Sequence, residues 1–529
     1  MNFNNLVRLK SIILNDIMRK FLFLFAIITC YIAGFAQTLQ LDWGEIQEMP
    51  KDNFNEKIIG YDKDGLYILR SSGDYLVDNS NIWLDYFSTT LKSKESSIQI
   101  LLPSVEGQMS NFLDMFYISG NIILFTTVND AAKKKTFAYA QVISKEGTLA
   151  GKPILAGEIA LQSETEKFNI NLSPDKTRIM VSTLSSFEKY ATPYKIKVFD
   201  YELKEIINSG FDLPLKDRNF TVLQTLYGNS GNIYFAIKAE QIGKKKTATA
   251  AVKYDYMILA YSSTKKSFDT YLVTLEKNVA ANIYFNLDND ENIVVFGFVS
   301  PKSAPGFTGI YYQKINPKTA KLELNTSGLF TREMILEFAD VRNGETPAQY
   351  LNYSPKNILF LENGSAIFLS EQNYTTTRTM VDPKTKAEEV IYYYNSNDII
   401  AACATKEGKI DWTMRIPKNQ KSLNDNAYFL SYFATATRYG SKVKVLYIDN
   451  PGNLNSNAVA EIKELKRPQK GVATILTIYS DGSIDKARMF DAVDLRFLFT
   501  PKALLETPGQ YYIPAIDGKT YKMGSFFFD

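Results

Sequence analysis

Residues 168–200, FNINLSPDKTRIMVSTLSSFEKYATPYKIKVFD, alternate strand-forming runs with turn residues: strand, tight turn, strand, looser loop, strand. The same pattern returns with different residues along most of the chain. One such sheet of four strands cannot bury both of its faces and needs neighbours stacked around it, so its repetition predicts a β-propeller. The 33 Tyr and 34 Phe, with abundant Ile, Val and Thr, favour pleated surfaces over helices and support an all-β fold.

Seven units follow one another. They open with EKIIGYDKDGLYILRS, FLDMFYISGNIILFTTV, FNINLSPDKTRIMV, TVLQTLYGNSGNIYFAIKA, ANIYFNLDNDENIVVFGFV, KNILFLENGSAIFLSEQ and AYFLSYFATATRYGSKVKVLYID. The turns DKDG, SGN, SPDK, GNSGN, NDEN and ENGS join first to second strands, and KEGT, NPKT, KEGK and SDGS join third to fourth. These residues accept the positive φ that tight hairpins demand. Residues 37–529 then form a single propeller of roughly 70 residues per unit, longer than a compact blade, with the surplus in loops. Ring closure requires the chain ends to meet. TLQLDW at the front, with YYIPAI and KTYKMGSFFF at the back, can complete a first or last sheet or form part of an eighth blade; seven is the preferred count. TREMILEFADV is the one predicted helical insertion, its Met, Leu and Phe spaced for a single apolar face.

Composition excludes much chemistry. The chain has no histidine, which removes Ser/His/Asp and Cys/His catalysis and His-ligated zinc. Lys plus Arg is 60 against 57 Asp plus Glu, a balance that gives no field for nucleic acid. Cys403 reads as a small apolar residue in a strand. Asp288, Asp290 and Asn292, and Asp62, Asp64 and Gly65, alternate like oxygen ligands for calcium, but both sets fall in turns and lack the closing glutamate of a helical-hand loop. No cofactor or metal site is predicted. Trp43, Trp83 and Trp412 are read as core or seam residues rather than sugar platforms.

Met18-Arg19-Lys20, the apolar run FLFLFAIITCYIAG and Gly34-Phe35-Ala36 have the layout of a secretory signal covering residues 1–36, with translation starting at Met1 or Met18. The run is about 14 residues, short of the roughly 20 of a spanning helix. Lipidation at Cys30 is the alternative, disfavoured by Thr29 and Tyr31 around it.

LSPDKTRIMV resembles the strand turn of TolB-like propellers, and DIIAACATKEGKIDWTMRIPKNQ is similar to a blade ending of secreted β-propeller proteins of the Bacteroidota. The resemblance implies a propeller in the cell envelope: in the periplasm, on the periplasmic side of the outer membrane, or extracellular. It implies no catalytic residues.

In a propeller, the first-to-second and third-to-fourth turns share one face, while second-to-third loops and blade connections share the other. The tight turns all fall on the first face. Long loops cluster on the second, as expected of a binding face on a rigid scaffold. Its candidate partner contacts are Lys133, Lys134, Lys135, Lys244, Lys245, Lys246, Phe307, Tyr374, Arg378, Lys463, Lys466 and Arg467. The segments 371–390 and 449–471 are read as loops removable without unfolding the core. Two functions stay open: a non-enzymatic scaffold binding an envelope protein beside outer-membrane secretion or assembly machinery, and a histidine-free carbohydrate-active or glycan-binding propeller using carboxylates at the central funnel.

Overall fold

Asp62 shows how the hairpins are made: its Oδ1 accepts the N–H groups of Asp64 and Gly65, closing the DKDG turn. Asp288 does the same for Asp290 and Asn292, and Asp481 for Ser483. Gly482, which follows the Asp481 cap, takes the left-handed backbone at φ +84° and lies flat against the Trp412 ring. Local side-chain caps of this kind fix where each strand stops.

The computed structural model describes residues 39, 41–48, 53–72, 81–91, 94–161, 166–185, 194–215, 218–241, 253–276, 278–301, 306–338, 353–381, 383–437, 440–456, 461–490, 496–517 and 520–528. Within them the strands form successive antiparallel meanders. Blade 1 is Asn53–Tyr61, Gly65–Ser72, Ile82–Ser88 and Lys94–Ile100. Blade 2 is Asn111–Ile118, Asn121–Asp130, Lys135–Ile143 and Leu149–Ala160. Blade 3 is Glu166–Leu172, Arg178–Ser185, Tyr194–Asp200 and Glu205–Phe211. Blade 4 is Phe220–Tyr227, Ile233–Glu240, Tyr254–Ser262 and Ser267–Leu272. Blade 5 has a broken first strand, Asn278–Ala280 and Tyr284–Leu287, then Ile293–Pro301, Gly309–Asn316 and Lys321–Leu329. Blade 6 is Tyr353–Phe360, Ala366–Val381, Glu388–Ala404 and Ile410–Leu423, and blade 7 is Tyr432–Ala436, Lys442–Asp449, Val472–Tyr479 and Ile484–Arg488.

The eighth sheet corrects the preferred count of seven. Leu498–Phe499 and Leu505–Thr507 pair with Gln510–Asp517, which pairs with Thr520–Phe526; Asp42–Trp43 and Gln47–Glu48 supply the outer strand. The front and back segments thus meet in one blade of their own. Trp43 lies over Gly524, where a Cβ would stand 2.6 Å from the ring, and packs edge-on against Phe490 at 5.2 Å. Closure continues between the first strand of blade 1 and Leu505–Thr507, and between Phe87 and Tyr521.

Apolar clusters lie between sheets, as the propeller requires. Ile122, Leu124 and Met115 of blade 2 share one with Tyr67, Leu69 and Leu84 of blade 1. Phe296 and Phe298 of blade 5 share another with Phe368 and Ala402 of blade 6, and Met334 of the helix Arg332–Phe338 joins it. Around the axis, first-strand side chains bond the next blade: Asn171 to Thr225 O at 3.2 Å, Gln224 to the Phe285 backbone, Asn286 to Ile358 O at 3.2 Å, Lys356 to Tyr432 O at 3.2 Å and Thr435 to Glu506 at 3.1 Å. Each neighbour therefore satisfies polar groups that an isolated sheet would leave bare.

Candidate binding face

Blade 5 opens a cavity because its first strand breaks at Ala281, Asn282 and Ile283. Asn282 turns inward there; its Oδ1 accepts from Phe298 N at 2.8 Å and its carbonyl from the Tyr311 hydroxyl at 2.8 Å. The resulting hollow, about 610 Å³, is lined by Leu223 and Gln224 of blade 4, residues 281–284, Ser300, Gly306 and Phe307 of blade 5, and Tyr353, Ser354 and Pro355 entering blade 6. A second hollow of about 370 Å³ adjoins it across Ala281 and Ser300, walled by Gln241, Lys253, Tyr254, Tyr256, Val279 and Ala280. These are strand ends on the loop face.

The walls are held by the backbone. Tyr284 donates to Lys356 O at 2.8 Å, Tyr256 to Ala281 O at 2.6 Å, and Gln224 both donates to and accepts from Phe285. Phe307 stacks on Phe298 with ring centres 4.3 Å apart and planes 8° from parallel. The Lys238 ammonium sits 4.1 Å above the Tyr254 ring. Burial raises the Tyr256 hydroxyl to about 12 and Tyr284 above its ordinary value, so both stay protonated donors. Neither hollow has an Asp or Glu in its wall. The larger hollow has no charged residue in its wall, and the smaller has one, Lys253.

Carboxylates buried in blades 1 and 6 are taken up by cations. Asp85 accepts two bonds from Arg70, at 2.9 and 3.2 Å, and Asp398 accepts from Arg415 Nε at 2.8 Å. Glu371, fully buried, accepts from Lys418 Nζ at 2.7 Å, lies 3.6 Å from Lys356 Nζ and accepts the Ser431 hydroxyl. Burial alone would raise the Glu371 carboxyl; the two ammoniums overrule it and hold it below its usual range. Lys418 completes its shell with Ser396 O and Gln420 Oε1, both at 2.8 Å. This cluster sits where blade 6 changes register, between Glu371 and Asn373 and between Asn397 and Ile399.

Beyond that root the second and third strands of blade 6 run on as an arm, Tyr374 opposite Asn395 through Val381 opposite Glu388, with the fourth strand alongside as far as Tyr393 opposite Leu423. The segment 371–390 is therefore largely paired strand, a correction to its reading as a loop. Its Thr and Val residues were strand-forming all along, but the sequence shows no partner for them. The segment 449–471 is likewise structural in part. Leu465 exchanges backbone bonds with Asn419 and Lys421, Ile462 and Leu465 are buried, and Asn453 binds Lys463 through both backbone groups. Removing it would take from the last strand of blade 6 the bonds that Asn419 and Lys421 make to Leu465.

The predicted contact residues scatter. Phe307 lines the larger hollow. Tyr374 and Arg378 are exposed on the arm. Lys463, Lys466 and Arg467 are exposed along the edge of blade 6, with Lys466 3.6 Å from Glu464. Lys133 pairs with Asp130 and Glu106, and Lys135 with Glu158, so with Lys134 they form a tight hairpin tip rather than a long loop. Lys244, Lys245, Lys246 and the leader, Cys30 included, lie outside the described residues. Asn282, Tyr284 and Tyr353 were missed; their only trace is the Ala-Ala-Asn interruption of an otherwise apolar strand.

Asp62 and Asp288 spend their oxygens on turn N–H groups and on Lys145 and Lys314 respectively. Among the described residues no group of three or more Cys, Asp or Glu converges to hold a metal, and no helix is long and apolar enough to cross a membrane. Trp412 donates to Ser480 O at 2.9 Å, and Trp83 stacks on Arg70, 4.7 Å away.

No protein-family model matches the chain, and no curated protein matches it. Among solved structures it is similar to the WD40 domain of SCAP from fission yeast, at 9% identity and TM-score 0.33 over 93% of this chain and 99% of that one. It is similar to the β-propeller domain of the Trilobed protease from Pyrococcus furiosus, at 9% identity and TM-score 0.32 over 84% and 98%. It is also similar to the alpha-L-arabinanase of Penicillium chrysogenum, complexed with arabinobiose, at 9% identity and TM-score 0.31 over 63% and 88%. The propeller itself rests on the sheet order and ring closure above.

Proposed function

We propose that the chain is an exported, non-enzymatic propeller that binds an envelope protein on its loop face and serves as a scaffold subunit, in the periplasm or at the periplasmic side of the outer membrane, beside a secretion or assembly complex. One observation carries it: the two hollows around blade 5 are walled by apolar, aromatic, amide and hydroxyl groups, with Lys253 the one charged residue, while the buried carboxylates of blades 1 and 6 are closed in ion pairs. Glycoside cleavage needs two carboxyl groups facing a shared space, and these walls supply none. The larger hollow, uncharged and with Tyr284, Phe307 and Tyr353 in its wall, suits an inserted apolar or aromatic side chain of a protein partner. The signal-like leader supports the compartment.

The test is affinity recovery of the tagged protein from its native envelope, beside Phe307→Ala and Tyr353→Ala variants. The expected result is a defined membrane complex whose recovery falls at least tenfold in the variants, with no sugar released from an oligosaccharide panel. Recovery of wild-type protein alone, or measurable glycoside turnover, would overturn the proposal.

A further inference from the structure

Blade 7 encloses a carboxyl group and an amine that are close without being hydrogen-bonded. Asp449 ends the second strand, and Lys486 reaches it from the fourth, their side chains 0% and 2% exposed. Nζ lies 3.9 Å from Oδ2, beyond hydrogen-bond range. The buried pairs of blades 1 and 6 are closed tightly by comparison, Arg70 to Asp85 at 2.9 Å and Lys418 to Glu371 at 2.7 Å. Oδ2 of Asp449 has no hydrogen-bond partner among the described residues.

The surroundings prepare both groups for reaction. Asp449 Oδ1 accepts the Asn450 N–H at 2.7 Å and the Asn453 side-chain amide at 2.8 Å. That amide is buried and locked in place, donating also to Lys463 O at 2.9 Å and accepting from Lys463 N at 2.8 Å. Two fixed donors on one carboxyl oxygen stabilise the negative charge that gathers there when the carbon is attacked. On the other side, Lys486 Nζ donates to Asn453 O and Ser456 O, each at 3.2 Å. A neutral amine has two N–H groups and one lone pair, so the two carbonyls occupy the N–H groups and leave the lone pair for the third polar neighbour, Asp449. An ammonium there would carry a third N–H with no acceptor in reach. Burial pushes the Asp449 carboxyl up, outweighing the Asn453 amide and the Lys486 charge, and pushes the Lys486 amine down. Both shifts favour the uncharged forms, which are the ones that condense. Reacting atoms need to approach to about 3–3.5 Å, and the flexible four-carbon stem of lysine supplies the remaining movement with the strand still paired.

We infer that Asp449 and Lys486 condense into an isopeptide cross-link inside blade 7. The Nζ lone pair attacks Cγ of Asp449, an N–C bond forms and the Cγ–Oδ2 bond breaks. Oδ2 leaves as water, taking its own carboxyl proton and one of the two amine protons, and no further reactant is needed. The remaining N–H keeps a backbone carbonyl as acceptor, Oδ1 keeps both of its donors, and the oxygen that had no partner is gone. Two groups costly to charge in the interior become one neutral amide. The bond ties the outer strand Ile484–Arg488 to the second strand, across the base of the 449–471 excursion and beside the blade in which the chain ends meet.

Intact-mass spectrometry of the purified, denatured full chain tests this. The expected mass is one water below that of the processed sequence, and a tryptic digest should contain a branched peptide joining the segments that hold Asp449 and Lys486. Lys486→Met and Asp449→Ala should each have the full mass of their sequences and lack the branched peptide. Wild-type protein at its full sequence mass would overturn the inference, whether or not the variants fold. So would a deficit of one water that persists in Lys486→Met, because a succinimide at Asp64-Gly65 or Asp481-Gly482 loses the same mass without joining two strands. None of these outcomes depends on whether the loop face captures a partner.

Discussion

Lys418→Met removes the ammonium at the root of the arm, a group with no exposure and three acceptors, Glu371 Oε1, Ser396 O and Gln420 Oε1. The variant would leave the Glu371 carboxylate buried with Lys356 at 3.6 Å, the Asn373 amide at 3.0 Å and the Ser431 hydroxyl as its remaining partners. Breaking one side of a buried ion pair costs about 3–5 kcal/mol. The unfolding entropy of a unit of about 490 residues is roughly 1 kcal/mol per kelvin, so the melting midpoint should fall by only about 3–5 °C. Urea unfolding is therefore the better assay, read as a shift in midpoint at unchanged slope. The double variant Glu371→Leu with Lys418→Met removes both charges and should recover most of the loss, leaving about 1–2 kcal/mol for the bonds that Ser396 O, the Ser431 hydroxyl and the Asn373 amide lose, Gln420 keeping Ser431 N and Ile448 O. The pH profile supplies a second readout. Because the folded Glu371 is depressed below the ordinary 4.5, its stabilisation is full above that value and drains away as pH falls through the folded one. In Lys418→Met that downward pull is lost, so the gap to wild type should narrow on acidification. A single variant within 1 kcal/mol of wild type, or a double variant less stable than the single, would refute the reasoning.

Trp43→Ala should cost about 2–3 kcal/mol by removing the ring that covers Gly524 and lies 4.0 Å beneath Lys522 Nζ; faster proteolysis near the N-terminal strand would report the loosened seam. Cys403 is buried and its thiol is raised to about 11, chiefly by that burial, so thiol reagents at neutral pH should label it only after denaturation. Gly482→Ala should lose about 1–2 kcal/mol in urea unfolding, since alanine at φ +84° is strained and its Cβ would press on Trp412 at 3.0 Å.

Much of the fold is local and could be read along the chain. Asp62, Asp175, Asp288 and Asp481 cap their own turns through neighbours within a few residues, so strand ends and the face of the tight hairpins are written beside one another. Apolar runs such as IYFAIKA and IVVFGFV announce strands buried on both faces for the same reason. The absence of histidine limited the chemistry before any coordinate.

What lies between distant segments was settled elsewhere. Strands of two or three residues at Asp42–Trp43, Leu498–Phe499 and Leu505–Thr507 are too short to stand out, and become a blade only because the ring must close on both chain ends. TTTRTMV has strand-forming residues but no local sign of a partner, so whether it is loop or arm depends on residues 388–395 lying opposite. Glu371 and Lys418 are 47 positions apart, and the hollow needs three blades to wall it. A residue's own backbone preference acts over a turn or two, whereas burial and pairing are conferred by whichever segments the closed ring brings alongside.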